Sequence, residues 1–380
     1  MNYKYWVAAL LMVVSLTAYA QKKLPVIRAS SDMVDIRNGK EFRKGAWTIA
    51  PEYKPDIYIT NKKNTRITFI TNLDSISFVV KPGKTYDFIV LLNNKDSAYT
   101  QIKYEEGVHF LETLKAADKF NEKDTRTLPA FTYQQSNDPH LLALRKGLNL
   151  DSIAGTGNEV SKIISLLHWI HDLIPHDGQH NNPEVKNAMS MIAECKRDHR
   201  GLNCRGLSTV LNECYLSLGI PSRFVTCLPK DSNDTECHVI NMVYASELKK
   251  WIWIDPTHDA YIMDETGTLL GIEEVRERLI NGKMLIVNPD ANWNNRNSTV
   301  KEDYLYNYMA KNLYRFSCPA ASEYDTETAG KGKVVQYIDL LPLDYYDQKP
   351  DVMEKVSEVS GNVLKTYKTN NPRKFWAAPK

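Results

Sequence analysis

Residues 201–225 read GLNCRGLSTVLNECYLSLGIPSRFV, and this stretch decides the fold that the sequence predicts. After a turn-like lead-in, apolar side chains recur at helical spacing: Leu207, Val210, Leu211, Cys214 and Leu218. This periodicity predicts an amphipathic helix that begins near Cys204. Gly219 is typical of the residue that follows a helix C-terminus. Residues 223–228 are then rich in apolar and β-branched side chains, which predicts a strand after the helix.

Cys204 is a candidate nucleophile because of its place at the start of this helix. The unpaired amides and the dipole of a helix N-terminus lower the pKa of a thiol, and the thiolate is the form that attacks. The backbone amide of Cys204 would also be free to donate to an oxyanion. The alternative interpretation is an ordinary buried cysteine.

Two predicted strands downstream, residues 238–245 and 251–254, supply a base and an acid. If they turn tightly around Ser246 and Glu247, His238 lies directly opposite Asp255, and paired positions have Cβ atoms about 4.5–5.5 Å apart. A thiol nucleophile needs a base, and that base needs a third group to orient it. We therefore predict His238 as the base and Asp255 as the residue that orients the imidazole.

Four motifs, in this order, resemble the transglutaminase-like superfamily: Gly201-Leu202-Asn203-Cys204-Arg205, Leu218-Gly219-Ile220-Pro221-Ser222-Arg223-Phe224-Val225, His238-Val239-Ile240 and Trp251-Ile252-Trp253-Ile254-Asp255-Pro256-Thr257. The family's Cys, His and Asp fall on Cys204, His238 and Asp255. The upstream segment His168-Trp169-Ile170-His171-Asp172 also resembles the helix that precedes the nucleophile in that family. The resemblance implies an α+β, papain-like core, in which a helix bearing the cysteine packs on an antiparallel sheet bearing the other two residues.

The same resemblance implies attack on an amide carbonyl through a thioester. We see no acidic calcium-binding loop and none of the extra β-domains that a resemblance to animal crosslinking enzymes would require, which favours hydrolysis. We expect a thiol-dependent amide hydrolase, cysteine peptidase-like or amidase, that needs no cofactor and no metal. Its substrate would be a peptide or protein, including a glycosylated or cell-wall-derived one. The alternatives are a protein crosslinking acyltransferase and a non-catalytic scaffold that keeps the cleft for binding.

A papain-type oxyanion site uses a second donor from upstream of the nucleophile. The sequence leaves this donor open among His176, Gln179 and Trp169. His258, three residues past Asp255, is expected in a surface turn, and a place at the border of the cleft is the alternative. Four tyrosines are predicted to pack between the C-terminal helix and the core: Tyr304, Tyr306, Tyr308 and Tyr314.

Two sets of side chains can be compared with zinc sites. One is His168 with His171 on a predicted helix, and the other is Cys195, His199 and Cys204 in a loop-rich stretch. Neither matches a paired CxxC or an HExxH arrangement. Partly exposed helix histidines are therefore favoured over a metal site.

The N-terminus has the pattern of a secretory signal peptide. Lys4 precedes an apolar run that ends in Ala18-Tyr19-Ala20, the small-x-small pattern that signal peptidase cleaves. We expect cleavage before Gln21, a periplasmic or secreted protein, and no membrane span in the mature chain. A retained membrane anchor is the alternative, but the run is well short of the roughly 20 residues that cross a bilayer.

Composition indicates a globular protein of two domains, with 380 residues of which 43% are hydrophobic and 25% charged. The net charge of +2 falls to +1 without Lys4, which gives no basic excess for binding nucleic acid. Six cysteines are too few for a disulfide framework, although one or two bridges are allowed. Cys214, on the apolar face of the predicted helix, is expected to be a buried free thiol.

Changes of pattern divide the chain into five segments: signal peptide 1–20, N-terminal β-sandwich 21–106, helical connector 107–157, catalytic domain with a C-terminal extension 158–345, and C-terminal helix and tail 346–380. Residues 85–92 are predicted to form a hairpin with residues 75–80. The sandwich carries no cluster of titratable side chains, so a structural or substrate-presenting role is favoured there. The polar tail from Thr366 is expected to fray.

Overall fold

The computed structural model describes residues 24–105 and 110–379. The predicted signal peptide lies outside the described residues. The chain divides into two compact units, one of residues 24–43 and 47–105 and one of residues 110–379 with 44–46. Across the described ranges, no helix has the length and hydrophobicity that a membrane span requires. The five segment boundaries drawn from the sequence remain predictions.

The first unit consists of two four-stranded sheets. Its strands are β1 Val26–Ala29, β2 Met33–Asn38, β3 Glu41–Thr48, β4 Asp56–Thr60, β5 Thr65–Ile70, β6 Ser75–Val80, β7 Thr85–Leu92 and β8 Asp96–Tyr104. One sheet has the order β1-β7-β8-β4 and the other β3-β2-β5-β6. The ring centroids of Phe69 and Phe88, one from each sheet, lie 5.4 Å apart. Both rings are fully buried, so the apolar positions of the two sheets share one core.

The predicted hairpin between residues 75–80 and 85–92 is wrong. β6 pairs with β5, whereas β7 pairs with β8. The turn at residues 81–84 therefore joins the two sheets, and Asn93 and Asn94, both at positive φ, form the turn of the β7–β8 hairpin. Alternation of apolar residues locates a strand and its buried face, but it does not identify the neighbouring strand.

The second unit begins with mainly helical segments: α1 Phe110–Lys115, β9 Thr132–Tyr133, α2 Pro139–Gly147, α3 Leu150–Ala154, α4 Glu159–Leu173, α5 Ala188–Asp198 and α6 Cys204–Ser217. α6 begins at Cys204, as predicted. Asn203 caps it by accepting a hydrogen bond from the amide of Gly206, a role that asparagine commonly has at this position. Gly219 follows the helix at φ 76°, also as predicted.

The remaining elements are β10 Ser222–Leu228, β11 His238–Ala245, β12 Lys250–Ile254, β13 Ile262–Met263, α7 Ile272–Ile280, β14 Ile286–Val287, β15 Asn292–Trp293, β16 Asn297–Ser298, a π-helix Glu302–Met309, α8 Ala310–Asn312, β17 Arg315–Pro319, β18 Ala321–Ser322, β19 Val334–Leu340, β20 Val352–Val356, β21 Val363–Thr369 and α9 Pro372–Phe375. Seven of these strands form one sheet in the order β12-β11-β10-β17-β19-β21-β20. Neighbours are antiparallel except β19 and β21, which are parallel. The predicted α+β class is confirmed.

The end of this sheet formed by β10, β11 and β12 is buried on both faces. Trp251 and Trp253 of β12 belong to one hydrophobic cluster, and Ile252 and Ile254 belong to the cluster that also contains α4 and α6. Alternating side chains thus fill two separate cores. α6 is joined to β11 by a 2.9 Å hydrogen bond from the Ser208 hydroxyl to the carbonyl of Val239. The helix that carries Cys204 is therefore fixed against the strand that begins at His238.

The predicted fraying of the tail from Thr366 is wrong. Residues 346–380, expected to be a helix and tail, contain β20, β21 and the one-turn helix α9, and β21 pairs with β19 along its whole length. Polar residues of this segment are buried and partnered: the side-chain amide of Asn370 donates to the carbonyl of Leu341 at 2.7 Å. The carbonyl of Phe375 accepts from the buried guanidinium of Arg223 at 3.0 Å. A polar composition predicted exposure, but these hydrogen bonds allow burial.

Phe375→Ala should lower the free energy of unfolding of the second unit by about 3–5 kcal/mol, because the phenyl ring is fully buried and its loss leaves a cavity. Denaturant titration followed by tryptophan fluorescence measures the change. Val359→Ala is the control, since Val359 is 95% exposed and its truncation should change stability by less than about 0.5 kcal/mol. Equal unfolding midpoints for the two variants would show that the C-terminal segment is not docked.

Candidate active site

His238 and Asp255 form a buried pair in the second unit. Nε2 of His238 lies 2.7 Å from Oδ2 of Asp255, and the side chains are 1% and 0% exposed. Burial alone disfavours both charges, but their mutual attraction and hydrogen bond outweigh it. The pKa of His238 is therefore raised well above its ordinary value, and the pKa of Asp255 is lowered. The structure brings these two predicted site residues together as an ion pair.

The register that led to this pairing is nevertheless wrong by two residues. Asn241 is opposite Ile254, and the connection between β11 and β12 is residues 246–249, with Lys249 in the left-handed region at φ 53°. The sequence argument assumed a tighter turn. Because successive residues alternate between faces, a shift of two residues leaves every side chain on its predicted face. His238 and Asp255, which follows the end of β12, can therefore still meet.

The carboxylate of Asp255 is held by three donors. Oδ1 accepts from the amide of Thr257 at 2.9 Å, and Oδ2 accepts from the hydroxyl of Tyr304 at 2.6 Å as well as from His238. The indole of Trp253 donates in turn to the Tyr304 hydroxyl at 3.2 Å. This network fixes the carboxylate in position and favours its ionised form.

The sequence predicted only packing for Tyr304 and Tyr308. It did not predict the hydrogen bond from Tyr304 to Asp255 or the contact of Tyr308 with His238. Both lie on the π-helix Glu302–Met309, and the Tyr308 ring stands edge-on to the imidazole of His238 with 5.2 Å between centroids. π-helical turns are rare and frequently occur at functional sites. A single sequence carries no spacing signal for such a turn, so neither tyrosine could be assigned in advance.

Cys204 lies at the N-terminus of α6, beside the imidazoles of His176 and His238. Burial of its side chain disfavours the thiolate, but the neighbouring imidazoles of His176 and His238 and the charge of His238 more than offset this and lower the pKa of Cys204 to about 6. Because Nε2 of His238 is taken by Asp255, Nδ1 remains for the thiol. A sulfur, an imidazole and a carboxylate are thus connected in the order that a thiol nucleophile requires.

All six cysteines are free, so neither of the allowed disulfide bridges is present. Cys214 is fully buried, as predicted, and burial raises the pKa of its thiol. Burial likewise raises the pKa values of Cys195, Cys227, Cys237 and Cys318. The lowered pKa therefore distinguishes Cys204 from every other thiol in the chain.

His176 reaches Cys204 because its backbone runs alongside the residues before α6. The amide of Asp177 donates to the carbonyl of Leu202 at 2.8 Å, and the amide of Leu202 donates to the carbonyl of Pro175 at 3.1 Å. Gly201 permits this approach, since a Cβ there would lie 2.3 Å from the carbonyl oxygen of Pro175. Of the other two donors considered, Gln179 is exposed and Trp169 packs on the cluster around α4 and α6.

Gly201→Ala should reduce the reactivity of Cys204 and lower stability by about 2 kcal/mol or more, because the new methyl group forces the two backbone segments apart. Alkylation rate and thermal melting measure the two effects. Gly147→Ala is the control, since a Cβ there meets only the flexible end of Met189, at 3.2 Å. A Gly201→Ala protein that reacts and melts like the control would contradict the close approach.

The two histidines of α4 hold the turn that follows Asp255. His168 Nδ1 lies 2.7 Å from the carboxylate of Asp259, which raises the pKa of His168, and His171 Nδ1 donates to the carbonyl of Pro256 at 3.0 Å. The expectation of partly exposed histidines is correct for His168 and wrong for His171, which is 3% exposed. Among the described residues, one group of three side chains is close enough together to hold a metal ion: His168, Asp259 and Asp290. It is neither of the two sets that the sequence analysis compared with zinc sites.

His258 lies in a turn, as predicted, but it is half-buried and borders the ion pair, which was the alternative, rather than lying at the surface. Its ring centroid lies 6.0 Å from that of His238 and 4.7 Å from that of Tyr304. Burial and the neighbouring charge of His238 lower the pKa of His258 to about 4, against the attraction of Asp255. His258 is therefore a neutral neighbour of the ion pair.

One family model matches part of the chain. Residues 146–256 match the family model of the Transglutaminase-like superfamily, which confirms the resemblance found in the sequence. A search of curated proteins returned no match.

Three solved structures are similar to parts of the chain. A proposed cysteine protease from Cytophaga hutchinsonii is 18% identical over 40% of this chain and 51% of its own, with a TM-score of 0.25. A proposed protease from Parabacteroides distasonis is 17% identical over 34% of this chain and 30% of its own, with a TM-score of 0.21. Red sea bream transglutaminase is 11% identical over 62% of this chain and 49% of its own, also at 0.21. The chain thus spans about half of the first structure and under a third of the second.

Proposed function

We propose that this chain, whose residues 146–256 form a transglutaminase-like domain, is a thiol-dependent amide hydrolase. Cys204 is the nucleophile, His238 is the base and general acid, and Asp255 orients the imidazole. The observation that carries the proposal is the buried His238–Asp255 ion pair beside the thiol of Cys204 at the N-terminus of α6, a neighbourhood that lowers the pKa of this thiol to about 6. Perturbed groups that converge in this way are typical of catalytic sites.

The reaction follows from these contacts. The thiolate adds to an amide carbonyl, and the backbone amide of Cys204, free at the helix N-terminus, donates to the oxyanion. Nδ1–H of His238 then protonates the leaving amine as the tetrahedral adduct collapses to a thioester. Water, deprotonated by the same nitrogen, adds to the thioester and releases a carboxylic acid with the regenerated thiol. Asp255 balances the positive charge of His238 whenever its imidazole is protonated.

The substrate in this proposal is a peptide or protein outside the cytoplasm, including a glycosylated or cell-wall-derived polypeptide. Export follows from the signal-peptide pattern of residues 1–20. Strands β1 to β8 of the first unit correspond to the proposed β-sandwich, to which we assign a structural or substrate-presenting role. Hydrolysis is favoured over crosslinking because the sequence has no acidic calcium-binding loop.

The full chain should react with p-nitrophenyl acetate to give a burst of p-nitrophenol, one per chain, and an acetyl group on the peptide that contains Cys204. Mass spectrometry locates this group, and cleavage by hydroxylamine identifies it as a thioester. Release of acetate in the presence of a primary amine supports a hydrolase, whereas an acetylated amine supports a crosslinking enzyme. Acylation no faster than in the urea-unfolded chain would support the scaffold and overturn the proposal.

A further inference from the structure

Trp293 fixes the tautomer of the neutral His176 ring. Its indole Nε1–H lies 3.3 Å from Nδ1 of His176, and the two rings meet edge to face with 6.2 Å between centroids. An indole nitrogen can only donate a hydrogen bond. Nδ1 of His176 must therefore accept, and the proton of the neutral ring is on Nε2.

The hairpin loop formed by β15 and β16, which contains Trp293, is joined to the His176 backbone in both directions. The amide of His176 donates to the side-chain oxygen of Asn294 at 2.6 Å, and the side-chain amide of Asn294 donates to the carbonyl of His176 at 3.0 Å. These bonds do not involve the imidazole, so changes of the His176 side chain leave the backbone anchored. The ring is held between this loop and the lead-in to α6.

We propose that Nε2–H of His176 is the second oxyanion donor of the reaction, together with the backbone amide of Cys204. The backbone bridge between His176 and Leu202 places His176 beside the lead-in to Cys204, and with Nδ1 occupied by Trp293, Nε2 is the nitrogen left to face the sulfur. A donor beside the sulfur is also beside the carbonyl carbon that the sulfur attacks, so the same N–H can stabilise the oxygen of the tetrahedral adduct. This inference rests on the proposed function.

The tautomer excludes a competing role as the base. A base must present an unprotonated nitrogen to the thiol, and Nε2 of His176 already carries its proton. His238 differs because its Nε2 is bonded to a carboxylate, which supports an imidazolium. His176 therefore donates throughout the reaction, and a non-titrating donor should replace it.

Two reagents separate oxyanion stabilisation from thiolate formation. Iodoacetamide alkylates Cys204 by displacing iodide, a step that forms no oxyanion. p-Nitrophenyl acetate acylates Cys204 through a tetrahedral oxyanion that expels p-nitrophenolate. The ratio of the acylation rate to the alkylation rate, measured on the full chain at pH 7.5, cancels differences in thiolate content between variants.

His176→Leu should lower this ratio by about 10²–10³, the usual cost of losing one oxyanion donor. His176→Gln, which keeps an N–H donor but cannot titrate, should restore most of it, to within about tenfold of the wild type. Trp293→Phe, which keeps the ring but releases Nδ1, should lower the ratio several-fold without any change to His176.

Equal loss of acylation and alkylation in His176→Leu would overturn the inference, because His176 would then act on the thiolate alone. A His176→Gln ratio as low as that of His176→Leu would also overturn it. A wild-type chain that is alkylated but never acylated at Cys204 would overturn the proposed function and this inference together, so the two failures are distinguishable. Thermal melting identifies any variant that fails to fold. If His176→Leu misfolds, Trp293→Phe still tests the inference, because it leaves His176 unchanged.

Discussion

Cys204→Ala should abolish acylation by p-nitrophenyl acetate, with a loss of about 10⁴-fold or more relative to the wild type. The methyl side chain removes the nucleophile, and no other thiol in the chain has a lowered pKa. The burst of p-nitrophenol and the acetyl group on the peptide containing Cys204 should both disappear.

Cys214→Ala is the matched control, since Cys214 lies on the same helix but is fully buried in the hydrophobic cluster around α4 and α6. It should keep the burst, although the protein becomes less stable. A burst that survives in Cys204→Ala would assign the chemistry to another residue and contradict the proposed nucleophile.

Asp255→Asn should reduce acylation by about 10³–10⁴-fold, the effect expected when the group that orients a catalytic histidine loses its charge. The amide is nearly the same size and keeps its place beside Thr257 and Tyr304, so the fold should survive. Without the carboxylate, the imidazolium of His238 loses the partner that raises its pKa, and the thiolate of Cys204 loses the charge of that imidazolium. The pH midpoint of Cys204 alkylation should therefore rise as acylation falls.

Tyr304→Phe provides the graded comparison. It removes one hydrogen bond to Asp255 but leaves the charge, so a loss of about tenfold is expected. Similar small losses in both variants would mean that Asp255 does not orient His238.

The sequence predicts most of what is local in this protein. The period of apolar residues and the turn-like lead-in at residues 201–203 predict the start of α6 near Cys204, where the helix begins. His238 and Asp255 could be paired from the sequence although the predicted register of β11 and β12 is wrong by two residues. A shift of two residues keeps each side chain on the same face of the sheet. The register of β11 and β12 depends on the length of the loop at residues 246–249, and the composition of this loop did not reveal its length.

Features made by distant segments could not be predicted. Tyr304 reaches Asp255 from a π-helix 49 residues further along the chain, and Trp293 reaches His176 across 117 residues. Polar residues near the C-terminus predicted a frayed tail, yet hydrogen bonds to partners elsewhere in the chain bury them. In each case the decisive interaction depends on tertiary position, which propensity and periodicity do not encode.

The most direct measurement of the central claim is the rate of Cys204 alkylation by iodoacetamide as a function of pH. A thiol whose pKa is about 6 should react at its full rate above that pH and lose reactivity as the pH falls through 6, because only the thiolate reacts. Peptide mapping assigns the labelled residue. A midpoint near the ordinary thiol value of about 8.5, with a rate no greater than that of the unfolded chain, would contradict the ion pair on which the proposed chemistry depends.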